Sequence, residues 1–297
     1  MKREISKRKA SRNVISSRSK TTTQKTGLSP SRIRSFQQTV YRHYREHGRS
    51  FPWRKTRNPY FILVSEIMLQ QTQTQRVVGK YKQFITTFPD FAALAHAPLR
   101  AILTIWEGLG YNRRAVALKM IAQIVMTQFK GKLPRDPQML MTLPGIGKAT
   151  ASAICAFAFN QPVVFVETNI RSVFIHVFFR DKNHVRDAEI LPLVEATLDT
   201  SNPREWYYAL MDFGVMLKKT GQNPNRQSTH YQKQSPFRGS NRQLRGMIIK
   251  AVIAEPGLSE HEIAERLGIR QKRVKENLAQ LRKEGLITIR RNRVTVA

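Results

Sequence analysis

Apolar residues along most of this chain recur at intervals of three and four, the spacing that places them on one face of an α-helix. The first such face runs from Arg32 to about His47. The same spacing, bounded by Pro, Gly or Asp, predicts four further helices, at 60–70, 72–88, 98–107 and 112–129. No alternating strand pattern occurs before the C-terminal segment, so the central part of the chain is predicted to be all-α.

The pattern changes after about Ser240. Three short helical segments, at 244–253, 259–267 and 271–284, precede two β-rich runs at 286–290 and 294–296. Helix, helix-turn-helix and hairpin in this order resemble a winged helix. Basic residues on and before the third helix are the candidate DNA contacts of this domain: Arg270, Lys272, Arg273 and Lys275. Winged helices also bind proteins, so a protein partner stays open as the alternative.

The charge of the chain indicates a polyanionic partner. Among 297 residues, 51 Lys and Arg stand against 20 Asp and Glu, a formal net charge of +31, while 41% of residues are hydrophobic. A chain this apolar is not simply a disordered polycation. No uninterrupted apolar stretch is long enough to span a bilayer, so double-stranded DNA is favoured over a membrane, with a monomer as the default state. If the source is a prokaryote, the predicted location is the cytoplasm, in association with the nucleoid. A nuclear location stays open as the alternative.

Composition also divides the chain into parts. Residues 1–34 carry eleven Lys or Arg and one Glu with few apolar residues, so they are predicted to form a disordered basic tail. A helical domain is predicted over 35–220, a basic linker loop over 221–239 and the winged helix over 240–297.

One carboxylate interrupts the apolar helix predicted at 60–70. Glu66 follows the apolar run from Phe61 to Val64 and precedes Ile67, so we expect it to be buried. Burial disfavours the charged form of a carboxyl group, which makes Glu66 a candidate general acid near neutral pH.

A second motif is the run Leu143-Pro144-Gly145-Ile146-Gly147-Lys148-Ala149-Thr150. Two glycines permit a tight turn whose backbone N–H groups point outward, and the alanine-rich run behind them begins a helix. Such a turn can hold a phosphate. The candidate contacts to a DNA backbone are Gly145, Gly147, Lys148 and Thr150.

Four sequence blocks, taken in their order along the chain, resemble those of the helix-hairpin-helix (HhH-GPD) DNA glycosylases related to endonuclease III, and most closely those of the MutY-type adenine glycosylases. The blocks are Phe51 to Arg54, Ser65 to Gln73, Gly108 to Tyr111, and the glycine turn with the run to Asn169. The resemblance covers about residues 35–220. It implies a two-lobed all-helical domain that flips a base out of the duplex and hydrolyses its N-glycosidic bond in base excision repair.

The resemblance also assigns roles around the base. Tyr111, with Gln71, would contact the base opposite the target, and Asp212 would lie where such enzymes hold a carboxylate against adenine. Trp53 and Arg54 could line the base pocket by stacking, although core packing is the alternative for Trp53. A turn aromatic without a DNA role is the alternative for Tyr111.

Catalysis would rest on two carboxylates. Glu66 would protonate the departing base and Glu167 would offset the positive charge that develops on the sugar, with Asn169 orienting a water or a carboxylate. Family members carry Asp at the position of Glu167. In the alternative interpretation, Glu167 only stabilises the N-terminus of the following helix through the helix dipole.

Two further departures limit the chemistry. Bifunctional relatives place Lys where this chain has Ala149, so a monofunctional enzyme without AP-lyase activity is expected. The family usually carries four cysteines just after the helix of Asp212, whereas this chain has Lys218 and a single cysteine elsewhere, Cys155. One thiol cannot hold such a cluster, so no iron-sulfur cluster is expected; a monovalent ion at the hairpin stays open.

The leading prediction is a clusterless monofunctional glycosylase that removes adenine mispaired with 8-oxoguanine or G. A glycosylase of the same fold acting on uracil, thymine or another modified base is the first alternative. A DNA-binding protein without catalytic activity is the second. In the MutY-type family a C-terminal domain usually reads 8-oxoguanine, and this sequence contains no segment that resembles it. The sequence therefore leaves recognition of 8-oxoguanine open.

Overall fold

The computed structural model describes residues 26–221 and 223–297. These residues form fourteen α-helices, two short 3₁₀ helices at 52–55 and 224–227, and one two-stranded sheet. In chain order the elements are α1 (Pro30–His47), α2 (Pro59–Leu69), α3 (Thr74–Thr87), α4 (Phe91–His96), α5 (Leu99–Trp106), α6 (Arg113–Gln128), α7 (Pro137–Met141), α8 (Lys148–Phe159), α9 (Thr168–Phe178), α10 (Asp187–Thr197), α11 (Pro203–Lys219), α12 (Asn241–Ala254), α13 (Glu260–Leu267), α14 (Gln271–Lys283), β1 (Ile287–Arg290) and β2 (Arg293–Val296). No helix in the described ranges is both long and apolar enough to cross a bilayer.

The mainly α fold class is confirmed, and every helix located by its apolar spacing occurs within three residues of its predicted ends. Six of the fourteen described helices were not located by apolar spacing: α4, α7, α8, α9, α10 and α11. α4 is only six residues long, and α10 contains Pro192 in its interior, where proline normally ends a helix.

The predicted basic tail is corrected at its C-terminal end. Residues 1–25 lie outside the described part of the chain. Leu28 is buried, and α1 begins at Pro30, with the Ser29 side chain accepting a hydrogen bond from the backbone N–H of Arg32. Proline at the first helical position and serine at the N-cap explain this start.

Contacts group the chain into two compact units. The first unit extends to Ser50 and resumes over Cys155–Gln232; the second comprises Phe51–Ile154 and Lys233–Ala297. The predicted winged helix therefore belongs to the same unit as α2 to α7.

Aromatic packing holds the first unit together. The ring of Phe36 in α1 lies edge-on to Phe174 of α9 and Trp206 of α11, at centroid distances of 5.5 and 5.8 Å. α11 packs against both α1 and α9. The apolar spacing found in α1 thus marks the face that this unit buries.

The second unit is organised around α2. Pro59 begins this helix, and the side chain of Asn58 caps it by accepting from the N–H of Tyr60 at 2.9 Å. Seven of its eleven residues are buried: Tyr60, Ile62, Leu63, Val64, Ser65, Ile67 and Met68. α2 packs against α3 and α6, as expected for a helix that is apolar on nearly every face.

The C-terminal segment is a winged helix-turn-helix, as predicted. Ser259 and Glu262 form a reciprocal capping box at the start of α13, and Gly268 ends α13 in the left-handed conformation, with φ of 61°. β1 and β2 pair antiparallel, with Ile287 opposite Val296. The connection has two residues rather than the three predicted, because Arg293 already pairs with Arg290.

Candidate active site and DNA-binding surfaces

Glu66 lies on α2 between two fully buried residues, Ser65 and Ile67, but is itself only half-buried. The expectation of complete burial is therefore corrected. A carboxyl group at a partly open position of an otherwise apolar helix keeps access to a reacting group while its surroundings stay dry. This placement is compatible with a proton-donating role, which remains a prediction.

A buried arginine that the sequence reading missed supports the turn after α2. The Nη1 of Arg114 donates to the carbonyl oxygens of Ile67, Met68 and Gln70 at 2.9, 2.9 and 2.6 Å. These carbonyls end α2 and lack partners within it. Burial lowers the pKa of Arg114 to about 10, so the guanidinium is still charged at neutral pH.

The other nitrogen of the same guanidinium supports a second turn. Arg114 Nη2 donates to the carbonyl oxygens of Leu109 and Gly110 at 3.1 and 2.9 Å, and to Thr72 Oγ1 at 3.1 Å. One side chain thus joins the turn at 70–72 to the turn at 108–111. The sequence signal was present as an arginine three residues after Tyr111, but its burial is a tertiary property.

The two predicted opposite-base residues both have left-handed backbones. φ is 54° at Gln71 and 47° at Tyr111. For residues other than glycine this conformation costs about 1 kcal/mol or more, and such strain concentrates at functional sites. Arg114 sets both turns, so Gln71 and Tyr111 are held on one rigid support. Their contacts with DNA remain predicted.

The glycine turn at 143–147 has the predicted form. Gly145 has φ of 77°, and a Cβ there would lie 3.3 Å from the Cβ of Ala117. Ile146 is buried and anchors the turn, while Gly147 and Lys148 are exposed at the start of α8. Exposed backbone N–H groups at the N-terminus of a twelve-residue helix, beside a lysine, suit a phosphate.

The turn is also tied to α2 by a residue with no predicted role. Gln70 Nε2 donates to Gly145 O at 3.2 Å and to Thr150 Oγ1 at 3.3 Å. Thr150 was a candidate phosphate contact, and its hydroxyl oxygen already accepts this bond. Ala149 is exposed, so the position that carries Lys in bifunctional relatives presents only a methyl group here.

Glu167 is the N-cap of α9 in the first unit. Its Oε1 accepts from the backbone N–H groups of Asn169 and Ile170 at 2.7 and 2.8 Å, and its Oε2 accepts from Asn169 Nδ2 at 3.2 Å. The alternative role of Glu167, a carboxylate that stabilises a helix N-terminus, is therefore present in the structure. These bonds also fix the carboxylate rigidly, which a catalytic group needs, so the two roles are compatible.

Lys218 extends this network from α11. Its Nζ donates to Asn169 Oδ1 at 2.9 Å. Burial lowers the pKa of Lys218, and the charge of Glu167 opposes that shift. The sequence predicted no contact within the protein for Lys218, whereas the structure makes it part of the support of Asn169.

Close packing fixes the start of α9. A Cβ added at Gly214 of α11 would lie 2.4 Å from the carbonyl oxygen of Asn169. Only glycine permits this approach between the two helices. The position of Asn169 and of the neighbouring Glu167 therefore depends on the absence of a side chain at residue 214.

Asp212 does not present a free carboxylate. It is buried, and its oxygens accept from the backbone N–H and the Nε of Arg49 at 2.8 and 2.7 Å, with Arg49 Nη2 at 2.6 Å. The expectation that Asp212 holds the adenine is corrected in this respect, because an arginine occupies both oxygens. Arg49 had no role in the sequence reading.

The two pocket candidates near the start of the second unit both pack against the ring of Phe51. Trp53 is 3% exposed, stacks on Phe51 at 5.0 Å and meets Tyr81 edge-on at 5.3 Å. These contacts favour core packing over base stacking for Trp53. Arg54 is half-buried, with its guanidinium carbon 5.2 Å from the ring centroid of Phe51.

The segment after α11, where the family usually carries its four cysteines, is structured. Residues 224–227 form a 3₁₀ helix, the N–H of Val185 donates to Gln227 O at 2.8 Å, and the N–H of Thr229 donates to Val185 O at 3.1 Å. The single cysteine of the sequence, Cys155, is buried in α8, and the described residues of this loop include no cysteine. The residues present do not fit a four-cysteine cluster. The predicted linker loop thus begins as a folded segment.

Basic side chains on the winged helix are mostly exposed. Arg270, Lys272 and Lys275 lie on the surface at and after the start of α14. Arg273 is instead half-buried, and its Nη2 donates to Gly239 O at 2.5 Å and to Asn241 Oδ1 at 3.3 Å. Arg273 is therefore corrected from a free DNA contact to a residue that ties α14 to the start of α12.

Comparison with known proteins identifies two sequence families. Residues 64–191 match the model of the HhH-GPD superfamily base excision DNA repair protein, and residues 242–288 match a winged helix-turn-helix DNA-binding family.

Relatives with different substrates are similar to this chain. An adenine DNA glycosylase from Buchnera aphidicola subsp. Baizongia pistaciae is 36% identical over 184 residues, covering 61% of this chain and 52% of that protein. A thymine/uracil-DNA glycosylase from Methanothermobacter thermautotrophicus is 30% identical over 186 residues, covering 61% of this chain and 84% of that protein. This chain spans about half the length of the adenine glycosylases it matches.

A solved structure described as that of a thermostable thymine-DNA glycosylase is similar over 62% of this chain and 86% of the other. Its TM-score is 0.57 and its sequence identity is 29%.

Proposed function

Because this chain belongs to the HhH-GPD superfamily of base excision DNA repair proteins, we propose that it is a monofunctional DNA glycosylase that hydrolyses the N-glycosidic bond of a mispaired adenine. The observation that carries the proposal is the support built by Arg114 in the second unit. It holds Gln71 and Tyr111 in left-handed turns, and Gln70 links the same turn to the exposed glycine hairpin. Such a surface suits a duplex that is opened at one base.

Binding would begin at the phosphate backbone. The exposed Gly147 and Lys148 at the N-terminus of α8 offer backbone N–H groups and a positive charge. Arg270, Lys272 and Lys275 of the winged helix add further charge, which raises affinity without reading sequence. Tyr111 would stack into the space left by the flipped base, a contact worth about 1–3 kcal/mol.

The reaction would use one proton and one water. Glu66 donates its proton to the departing adenine, which leaves with the electron pair of the glycosidic bond. The carboxylate of Glu167, held by its bonds to the start of α9, stabilises the positive charge on the sugar until water adds to C1′. The added water releases one proton to solvent and becomes the C1′ hydroxyl, and Glu66 regains a proton from solvent, so no net proton is consumed. Asn169 orients Glu167 or that water. The products are free adenine and an abasic site in an uncut strand.

The absence of an amine at residue 149 supports the monofunctional assignment. Ala149 carries no nucleophile, and the amine of Lys148 lies one residue away, turned by about 100° around α8. Borohydride should therefore trap no covalent protein–DNA adduct at neutral pH. Efficient trapping together with strand cleavage would overturn this part of the proposal.

A single-turnover assay tests the activity. Short duplexes would carry A opposite 8-oxoguanine, G or C, and each reaction would be resolved with and without hot alkali. We expect cleavage of the A strand only after alkali, with the rate reduced by about 10²–10⁴-fold in Glu66→Gln. Glu260→Gln, at a half-buried residue of the winged helix, is the matched control and should react at the rate of the unmodified protein.

Removal of thymine or uracil from a mismatch is the second candidate. Its support is the similarity to the Methanothermobacter glycosylase and the engagement of Asp212 by Arg49, which leaves the expected adenine contact unfilled. Duplexes with U or T opposite G, run in the same assay, decide between the two. Tight binding without release of any base would instead support a DNA-binding protein without catalytic activity.

A further inference from the structure

Two side chains that precede or begin the winged helix hold the hydroxyl of Tyr111. Gln234 Nε2 donates to Tyr111 Oη at 2.7 Å and Arg242 Nη1 donates to the same oxygen at 2.9 Å. The guanidinium carbon of Arg242 also lies 5.7 Å from the centroid of the tyrosine ring. All three residues belong to the second unit.

Arg242 is itself fixed in place. Its Nη2 donates to the carbonyl oxygen of Ser235 at 2.6 Å and to Ser235 Oγ at 3.3 Å. Ser240 caps α12 two residues before Arg242, since its side chain accepts from the N–H of Gln243. The arginine therefore braces the segment of Gln234 as well as Tyr111.

The far end of α12 is attached to the same part of the second unit. Arg100 Nη2 of α5 donates to Ile253 O at 2.6 Å, and Lys250 Nζ lies 2.8 Å from Glu107 Oε1. Arg242 and Ile253 are eleven residues apart, which is about 16 Å along a helix. α12 is thus held at both ends, so the position of Arg242 against Tyr111 is a property of the docked winged helix.

These bonds determine which further hydrogen bond the hydroxyl of Tyr111 can make. A phenolic oxygen accepts through its lone pairs and donates one proton. With Gln234 and Arg242 both donating to it, its own proton is left for an acceptor. The ring is meanwhile held by groups on two separate segments, so it loses little rotational freedom when DNA binds.

We propose that Gln234 and Arg242 are positioning residues that fix Tyr111 for contact with the base opposite the target, so that the winged helix takes part in opposite-base discrimination. This inference rests on the proposed function, because it needs Tyr111 to contact DNA. It assigns the C-terminal module a role beyond the electrostatic attachment of its basic surface.

Binding separates this role from general affinity. The probe is a short fluorescent duplex with a tetrahydrofuran abasic analogue opposite G, A, C or T, and a fully paired duplex is the reference. Arg242→Ala and Gln234→Ala should each reduce the ratio between the best and the worst opposite base by about three- to tenfold. Arg266→Ala removes the same charge from the same module, where Arg266 pairs with Glu255 at 2.8 Å, and should leave that ratio unchanged.

A double-mutant cycle makes the test specific. Tyr111→Phe removes the oxygen that both donors contact, so Arg242→Ala should change the ratio by less than about twofold in that background. Additive effects of the two substitutions would refute the positioning role, as would an equal loss of affinity for all four duplexes. Gln234 is exposed, so its substitution gives an answer even if Arg242→Ala disturbs the docking of α12.

The two proposals fail in different ways. Binding to the abasic analogue needs no catalysis, so the two proposals can be tested separately. If the protein releases no base but its discrimination ratio still depends on Arg242, this inference holds and the glycosylase assignment is refuted. Normal base release with a ratio insensitive to Gln234, Arg242 and Tyr111 would do the reverse.

Discussion

Replacing Arg114 by methionine should be one of the most destabilising single substitutions in the second unit. Methionine keeps an unbranched apolar stem in the buried position but removes the guanidinium. Three carbonyl oxygens, those of Ile67, Met68 and Leu109, accept buried hydrogen bonds from it. Each buried acceptor left without a donor costs about 1–3 kcal/mol.

Water can reach the remaining, partly buried acceptors, so they contribute less. Relaxation of the two turns offsets part of the cost at the three buried carbonyls. The expected loss in free energy of unfolding is therefore about 3–5 kcal/mol, the range for removing one partner of a buried charged network.

Urea titration followed by tryptophan fluorescence measures this loss locally, because Arg114 lies over the ring of Trp106 with its guanidinium carbon 5.4 Å from the centroid. Arg113→Met is the matched control: Arg113 is exposed and adjacent, and its substitution should change stability by about 0.5 kcal/mol or less. Arg114→Lys should fall between the two, since one ammonium donates at most three hydrogen bonds. A loss below about 1 kcal/mol for Arg114→Met would refute the view that this residue supports both turns.

Four further predictions concern the first unit. Glu167→Asp should keep the N-cap of α9 and change stability by about 0.5 kcal/mol or less, whereas Glu167→Ala should cost about 1 kcal/mol and abolish single-turnover base release; full activity of the alanine variant would leave Glu167 only its capping role. Gly214→Ala should destabilise by more than about 1 kcal/mol in a thermal melt and slow base release, because its Cβ would fall 2.4 Å from the carbonyl oxygen of Asn169; an unchanged melting temperature would contradict the close packing. Asp212→Asn should destabilise by about 3 kcal/mol in urea titration through loss of the buried pair with Arg49, and a stable variant with altered base preference would return Asp212 to the pocket. Lys218 has a lowered folded pKa, so the unfolded chain binds the extra proton between that pKa and about 10.5; the stability of the unmodified protein relative to Lys218→Met should therefore rise with pH through this window, and a flat difference would show that the ammonium is not buried.

The local features of the site were predicted well from sequence because they depend on local chemistry. The paired glycines around Ile146 require a tight turn, and that turn forms with Ile146 buried and Lys148 exposed. The position of Glu167 before a helix gave its capping role as an alternative, and the cap is present. Both results follow from dihedral preferences and the unpaired N–H groups of a helix start.

Local patterns did not predict the contacts of residues whose side chains meet a distant partner. The sequence leaves both pocket stacking and core packing open for Trp53, which packs on Tyr81. It predicts no partner within the protein for Asp212, which pairs with Arg49. Arg273 was read as a DNA contact, yet it binds residues at the start of α12. In each case the residue type suited two roles, and the choice depended on which groups the chain brought next to it.

The sequence by itself determined the helical class, the winged helix and the order of the glycosylase blocks, because apolar periodicity and turn residues act over a few positions. Only the tertiary structure decided that Arg114 joins two turns, that Lys218 supports Asn169, and that Arg242 holds Tyr111. These contacts link residues 44, 49 and 131 positions apart. A buried donor must find its acceptors wherever folding places them, and no local pattern records that pairing.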